Sequence, residues 1–206
     1  MEEHHIQGST VSVTAATLTK LPVPGALPMI VEKTQTALAV LFPESTTDDT
    51  RTEAMEEAPA KEEEKEKKTA EPRKNGIVLK DYAVHGYHVD IQLDSSQLLE
   101  AVAIIDSLDY FIESITGVDW IKEEQMEVVY DFSRYDFDLC RVVIRTRIPR
   151  AQPNLPSITS IYAGANWHER ETHDFFGIKF EGHPHLVPLL LPEDADFHPL
   201  LKDFKA

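Results

Sequence analysis

At 206 residues the chain has room for one domain with a tail, or at a stretch two small domains. Its 36 acids against 20 bases leave a net charge of −16 with histidines neutral. That argues against a protein that tracks nucleic-acid phosphates or an anionic membrane surface, since both need a basic face. The single cysteine, Cys140, excludes a disulfide framework and any cysteine-only zinc or iron–sulfur site within the chain. No apolar run approaches the ~18 residues of a membrane span. The opening Met-Glu-Glu-His-His lacks the basic region of a secretory signal and the arginines of a transit peptide, so a soluble, intracellular protein is expected.

In chain order, residues 1–43 form an N-terminal segment in which Ile30, Val31, Leu38, Val40 and Leu41 are spaced as in a short amphipathic helix. The sequence leaves open whether that helix docks on a later domain or is a tail. Residues 44–76 hold 11 acids and 7 bases with no aliphatic stripe. Such a stretch cannot bury enough apolar area to offset ordering at ~1–2 kcal/mol per residue, so it reads as a disordered charged linker. A solvated single helix held by Glu–Lys pairs is the alternative, at only ~0.2–0.5 kcal/mol per pair, and Pro59 and Pro72 limit its length.

From Ile77 the pattern becomes that of a folded domain, still acidic with 22 acids against 11 bases. A strand around Ile77 to Tyr82 turns at Gly86 into a second, where Tyr87, Val89, Ile91 and Leu93 alternate with polar residues. Asp94-Ser95-Ser96 then offers a cap for a helix carrying Leu98, Leu99, Val102, Ile105 and Leu108. Three further strands follow, at Tyr110 to Ile115, Glu127 to Phe132 and Leu139 to Ile148. The last puts Cys140, Val142, Ile144, Thr146 and Ile148 on a buried face and a row of Arg141, Arg145 and Arg147 on the other, until Pro149 ends the ladder. Cys140 therefore reads as an inert core residue. The order defines an α+β domain over 77–179, a mixed sheet with helices packed on one face, followed by an extended tail over 180–206.

Asn166 to Gly177 is a well-punctuated helix, with Asn166 as N-cap, Glu169 completing a capping box and Gly177 as left-handed C-cap. Trp167, Glu171, Asp174 and Phe175 fall on one side, and Arg170 lies within ion-pair reach of Asp174. His168-Glu169 resembles the opening of a zinc-protease helix, but the second histidine comes five residues on, at His173. That is roughly 140° around a helix, so the two cannot share an ion. His183, His185 and His198 have no fixed spacing that gathers them. Glu169, Glu171 and Asp174 could serve acid–base chemistry, yet no nucleophile accompanies them and no glycine-rich phosphate loop exists.

The stretch from Trp167 to Phe204 closely resembles the signature of the 30-kDa subunit of respiratory complex I, the bacterial form of which is the NADH–quinone oxidoreductase. The matching residues are Glu169-Arg170-Glu171, Asp174, Phe176-Gly177-Ile178, Phe180, Gly182-His183-Pro184, Leu186, His198-Pro199-Leu200 and Lys202-Asp203-Phe204. Ile115 to Trp120 also looks like the family's sheet domain. The resemblance implies a structural subunit with no catalytic residue, cofactor or metal of its own. Iron–sulfur clusters, flavin and quinone, or nickel–iron, would reside in partner subunits. The implied partners are the large quinone-site (or nickel–iron) subunit and small iron–sulfur subunits, with no nucleic acid, and the membrane only through the complex. The implied place is peripheral, on the cytoplasmic side of a bacterial or archaeal cell membrane. Partner contacts would fall on Glu169, Arg170, Glu171, Asp174, Phe180, Gly182, His183, Pro184, Leu189, His198, Lys202 and Asp203.

Val187-Pro188 stands where quinone-reducing members usually carry an arginine pair, and Leu201 stands for a further arginine. The related modules of energy-converting nickel–iron hydrogenases and formate hydrogenlyases thus remain an alternative. A stand-alone metal-dependent hydrolase using His168, His173 and His183, and a free acidic interaction protein, are more distant readings. The tail from Phe180 is expected to be separable from the sheet domain.

Overall fold

The computed structural model describes residues 26–43, 74–134 and 139–205. The linker expected over 44–76 falls largely outside the described residues, and its last member, Gly76, already opens the first strand. Five strands build one mixed sheet: β1 (Gly76–Leu79), β2 (Val89–Leu93), β3 (Phe111–Trp120), β4 (Gln125–Arg134) and β5 (Cys140–Pro149), in the spatial order β1-β2-β5-β4-β3. Only β2 and β5 run parallel; the other neighbours are antiparallel. A second, two-stranded parallel sheet joins β6 (Asn154–Pro156) to β7 (Lys179–Glu181). The helices are α1 (Leu27–Leu38), the short α2 (Tyr82–His85), α3 (Leu98–Ser107) and α4 (Ala165–Phe176).

The apolar parity read for β2 and β5 is buried. Val89, Ile91 and Leu93 of β2, Val142 and Ile144 of β5, and Val128, Tyr130 and Phe132 of β4 join Leu98, Val102 and Ile105 of α3 in one buried core. Cys140 lies in it, with burial raising its thiol pKa, and its sulfur is 3.2 Å from the Tyr110 hydroxyl. The opposite parity carries the arginine row as an ion-pair lattice: Arg141 with Glu113 at 2.6 Å, Arg145 with Asp90 at 3.0 Å and Arg147 with Glu127 at 3.3 Å.

The N-terminal helix docks on this core. Ile30, Thr34 and Leu38, four residues apart, form its buried stripe, and Leu38 is fully enclosed. The Thr34 hydroxyl meets the Tyr110 hydroxyl at 2.9 Å, and the Gln97 amide donates to the Leu41 carbonyl at 2.7 Å.

Among the strands, β4 extends two residues beyond expectation at each end, and the first and third differ more. The first strand stops at Leu79, because Asp81 caps α2 by accepting from the Ala83 amide at 2.9 Å, and Gly86 ends α2 in the left-handed region. The third, expected to end at Ile115, runs on through Gly117 to Trp120. Gly117 is needed there because the Phe176 ring packs where a side chain would go: a Cβ would stand 2.5 Å from it.

Candidate functional site: a helix that clamps the C-terminal strap

Helix α4 begins two residues earlier than its sequence cap suggested. Gly164 holds the cap position without a side-chain bond, and the amides of Ala165 and Asn166 are taken by the carbonyls of Tyr162 and Ala163. The preceding turn thus satisfies the helix start, and Asn166 is not its cap. Glu169, freed from a capping box, points inward. It is fully buried, accepting from Ser157 Oγ at 2.6 Å and from the Ile158 amide at 2.8 Å. Burial pushes its carboxyl up to about 7, with those two hydrogen bonds offsetting part of the rise. One turn on, Thr172 donates to the Ile115 carbonyl of β3 at 3.1 Å.

The other side of α4 grips the chain that follows β7. Arg170 donates through Nε to the Val187 carbonyl at 2.9 Å and through Nη2 to the Pro188 carbonyl at 2.8 Å, with its guanidinium 5.6 Å from the Trp167 ring. Asp174 Oδ2 receives three successive amides, Leu189, Leu190 and Leu191, at 2.8, 2.7 and 3.1 Å. Burial raises the Asp174 carboxyl, but the three amides outweigh it and hold the group below the usual carboxylate range. The expected Arg170–Asp174 pair is thereby replaced by two separate holds on one segment. Both departures from the family pattern also acquire a place: Val187 and Pro188 lend their carbonyls to Arg170, and Leu201 packs against the core.

Residues 182–204 form a strap closed at both ends. At its root Gly182 turns with φ 83°, and His183 Nε2 lies 3.2 Å from the Asn166 carbonyl. Midway, His198 Nδ1 sits 2.8 Å from the Asp174 carbonyl and its ring covers Gly177, where a Cβ would come within 2.7 Å. The Leu200 amide reaches the Phe175 carbonyl at 3.1 Å. At the far end Asp119, almost fully buried, accepts Arg150 Nε and Nη2 at 2.9 and 3.1 Å and the Lys202 amide at 2.9 Å. Arg150 also binds Asp203 at 2.5 Å. Burial raises the Asp119 carboxyl, and Arg150 with the Lys202 amide outweighs that and lowers it.

The signature residues are thus largely engaged inside the chain. Glu169 is enclosed, Phe180 is in the core as the middle of β7, and Arg170, Asp174, His198, Lys202 and Asp203 hold the strap. Glu171, Gly182 and Pro184 are exposed, while His183 and Leu189 are half-buried. The tail boundary expected at Phe180 falls inside a strand: Phe180 and Glu181 belong to the β6–β7 sheet, and Ser157 donates its amide to the Glu181 carbonyl at 2.8 Å. Sequence reasoning missed Arg150, whose partners Asp119 and Asp203 lie 31 and 53 positions away, and Ser157, whose partner Glu169 lies 12 positions on across an intervening turn. The outward side of the strap is apolar at Val187, Leu190, Phe197, Leu200 and Phe204, beside an exposed Trp167.

His173 Nδ1, like His183 and His198, lies against a main-chain carbonyl, here that of Ile178 at 2.8 Å. Among the described residues no three His, Cys, Asp or Glu side chains gather as a metal-binding group, and no helix is long and apolar enough to cross a membrane.

A five-stranded mixed sheet whose last helix clamps a C-terminal strap is the class of module that these elements define. The chain belongs to the family described as respiratory-chain NADH dehydrogenase, 30 Kd subunit, which it matches over residues 91–206. One subunit of the F(420)H(2) dehydrogenase of Methanosarcina mazei is 41% identical over 93 residues, 45% of this chain and 58% of that protein. Its counterpart in the NADH-quinone oxidoreductase of Roseiflexus sp. is 44% identical over 94 residues, 45% of this chain and 53% of its own length. The matched part thus spans a little over half the length of these two relatives. The NADH-quinone oxidoreductase subunit 5 of Thermus thermophilus is 34% identical over 145 residues, covering 62% of this chain and 70% of that one. Among solved structures, a chain of the archaeal membrane-bound sulfane sulfur reductase superposes with a TM-score of 0.52 at 28% identity, over 57% of this chain and 71% of that chain.

Proposed function

We propose that this chain is a non-catalytic structural subunit of a complex I-like oxidoreductase, docking through its clamped strap on the large subunit that lines the quinone site. The carrying observation is the strap itself. Polar contacts from Arg170, Asp174 and Asp119 fix its backbone while Leu190, Phe197 and Leu200 face outward. A pre-shaped segment of that kind loses little conformational freedom on binding, so its apolar side chains contribute most of their burial to affinity. In this reading electrons are carried by iron–sulfur, flavin or nickel–iron centres of partner subunits, and the chain sits peripherally on the cytoplasmic side of a cell membrane. The similarity to a subunit of an F(420)H(2) dehydrogenase and to a sulfane sulfur reductase chain favours a second version, in which the host complex takes other donors or acceptors than NADH and quinone.

The test is co-purification of the full chain with its neighbouring subunits. Leu190→Asp with Phe197→Asp is expected to leave the thermal transition of the chain in place and to abolish recovery of the large subunit. Normal assembly of that double variant would overturn the proposal.

A further inference from the structure

A fully buried carboxyl group lies apart from the strap contacts. It belongs to Glu169, and its described partners include no cation: Ser157 Oγ and the Ile158 amide are its hydrogen-bond donors. Two facts of geometry set it apart from a buried ion pair. First, Ser157 Oγ stands 2.6 Å from Glu169 Oε2 and 2.8 Å from Thr159 Oγ1, and Thr159 is half-buried. The three oxygens therefore form an unbroken row from the interior to the surface. Second, the Tyr130 hydroxyl of β4 is buried with no hydrogen-bond partner among the described residues, and its pKa is raised by its own burial first and then by the Glu169 carboxylate.

We infer that Glu169, Ser157 and Thr159 form a proton-binding relay, in which the buried carboxyl exchanges one proton with water through two hydroxyls. In the ionised state Thr159 donates to Ser157 and Ser157 donates to Glu169. Uptake reverses the row: Thr159 Oγ1 receives a proton from water and passes its own to Ser157 Oγ, which passes its own to Glu169 Oε2. Each O–H bond broken is matched by one formed, and the neutral carboxyl then donates to Ser157. Both hydrogen-bond patterns use the same heavy-atom positions, since a hydroxyl can donate or accept by rotation. A buried carboxylate with no counter-cation disfavours its charged form, which supplies the drive for uptake.

Among the described residues, the loop after β6 brings Ser157 Oγ and the Ile158 amide onto the Glu169 carboxyl, and β4 brings the Tyr130 hydroxyl within reach of its charge. On α4 itself the neighbouring Arg170 is turned to the strap. The relay sits where α4 meets the segment that follows β6.

The experiment follows isotope-labelled glutamate carboxyl resonances in the full chain across the pH range. The expected result is one carboxyl with a midpoint near 7, and its absence from Glu169→Gln. Ser157→Ala removes a donor to the ionised form, so the midpoint should rise further. Thr159→Val leaves Glu169 its contacts but breaks the row, and should turn one averaged resonance into two slowly exchanging ones. Relative to Glu169→Gln, the unfolding constant of the wild type should grow on the order of a hundredfold between about pH 5 and about pH 8, because the raised folded-state value makes ionisation cost stability there. Titration of every glutamate in the ordinary range, or a midpoint unmoved by Ser157→Ala, would overturn the inference. Unchanged exchange in Thr159→Val would overturn the relay. The wild-type titration and the half-buried Thr159 position decide it even where Glu169→Gln fails to fold.

Discussion

The two ends of the described chain are attached to one sheet by opposite means. Helix α1 at the N-terminal side presents Ile30, Thr34 and Leu38 to α3 and β5, and its hold is mainly apolar area. The strap at the C-terminal side leaves Leu190, Phe197 and Leu200 exposed and is held through carboxylates, guanidinium groups and backbone amides. An apolar stripe is spent once it is buried. A segment held by its backbone keeps its side chains free for something else. The strap is therefore the end suited to a partner, and α1 the end that completes the domain.

The largest effect is expected at the apolar hold. Leu38→Ala removes a fully enclosed side chain and should cost ~2–5 kcal/mol. Because Thr34 of α1 packs on Tyr110 beside Cys140, the variant should also label much faster at the Cys140 thiol. A thiol that stays closed would mean α1 contributes little. A middle effect is expected at the helix–strap junction. Gly177 has φ 72° and carries the His198 ring against it, so Gly177→Ala combines strain with a clash and should cost ~1–3 kcal/mol in denaturation. Adding His198→Ala should recover the clash part, whereas strict additivity would show that the ring does not press there.

The smallest effect sharpens the polar side. Asp174→Asn keeps an oxygen for the three amides but loses the charge, at ~1 kcal/mol near neutrality. The folded-state value of Asp174 lies below the ordinary one. Its contribution is therefore complete above the usual aspartate range and disappears as pH falls through the folded value. Proteolysis of the strap in acid should accelerate for the wild type and show a weaker pH dependence in the variant. This sign is opposite to that of Glu169, five residues earlier on the same helix, whose ionisation costs stability as pH rises. Chemistry alone does not separate the two carboxylates. Three amides face one, and enclosure with a lone serine and one amide surrounds the other.

That contrast marks how far the sequence could be read. The α+β class, the buried parity of β5 and the placement of Cys140 follow from periodicity, because side chains alternate along a strand and recur every three to four residues on a helix. Helix α4 is legible from its punctuation, of which the left-handed Gly177 C-cap holds. The family is legible in Glu169 to Asp203, since an ordered run of that length is specific. The capping role given to Asn166 and Glu169 was local reasoning overruled by a turn at Tyr162 and Ala163 that already satisfies the helix start. The strap's hold was not legible in local spacing. Asp119 meets Lys202 across 83 positions and Arg150 meets Asp203 across 53, and only the folded sheet brings such groups together. Local order in the chain thus determined the main strands and helices and the faces that α3 and β5 bury, but not α2, β6, β7 or the face that α4 buries. Tertiary structure alone decided which charges meet, because an ion pair or a buried carboxyl is defined by neighbours in space, and those neighbours are distant in sequence.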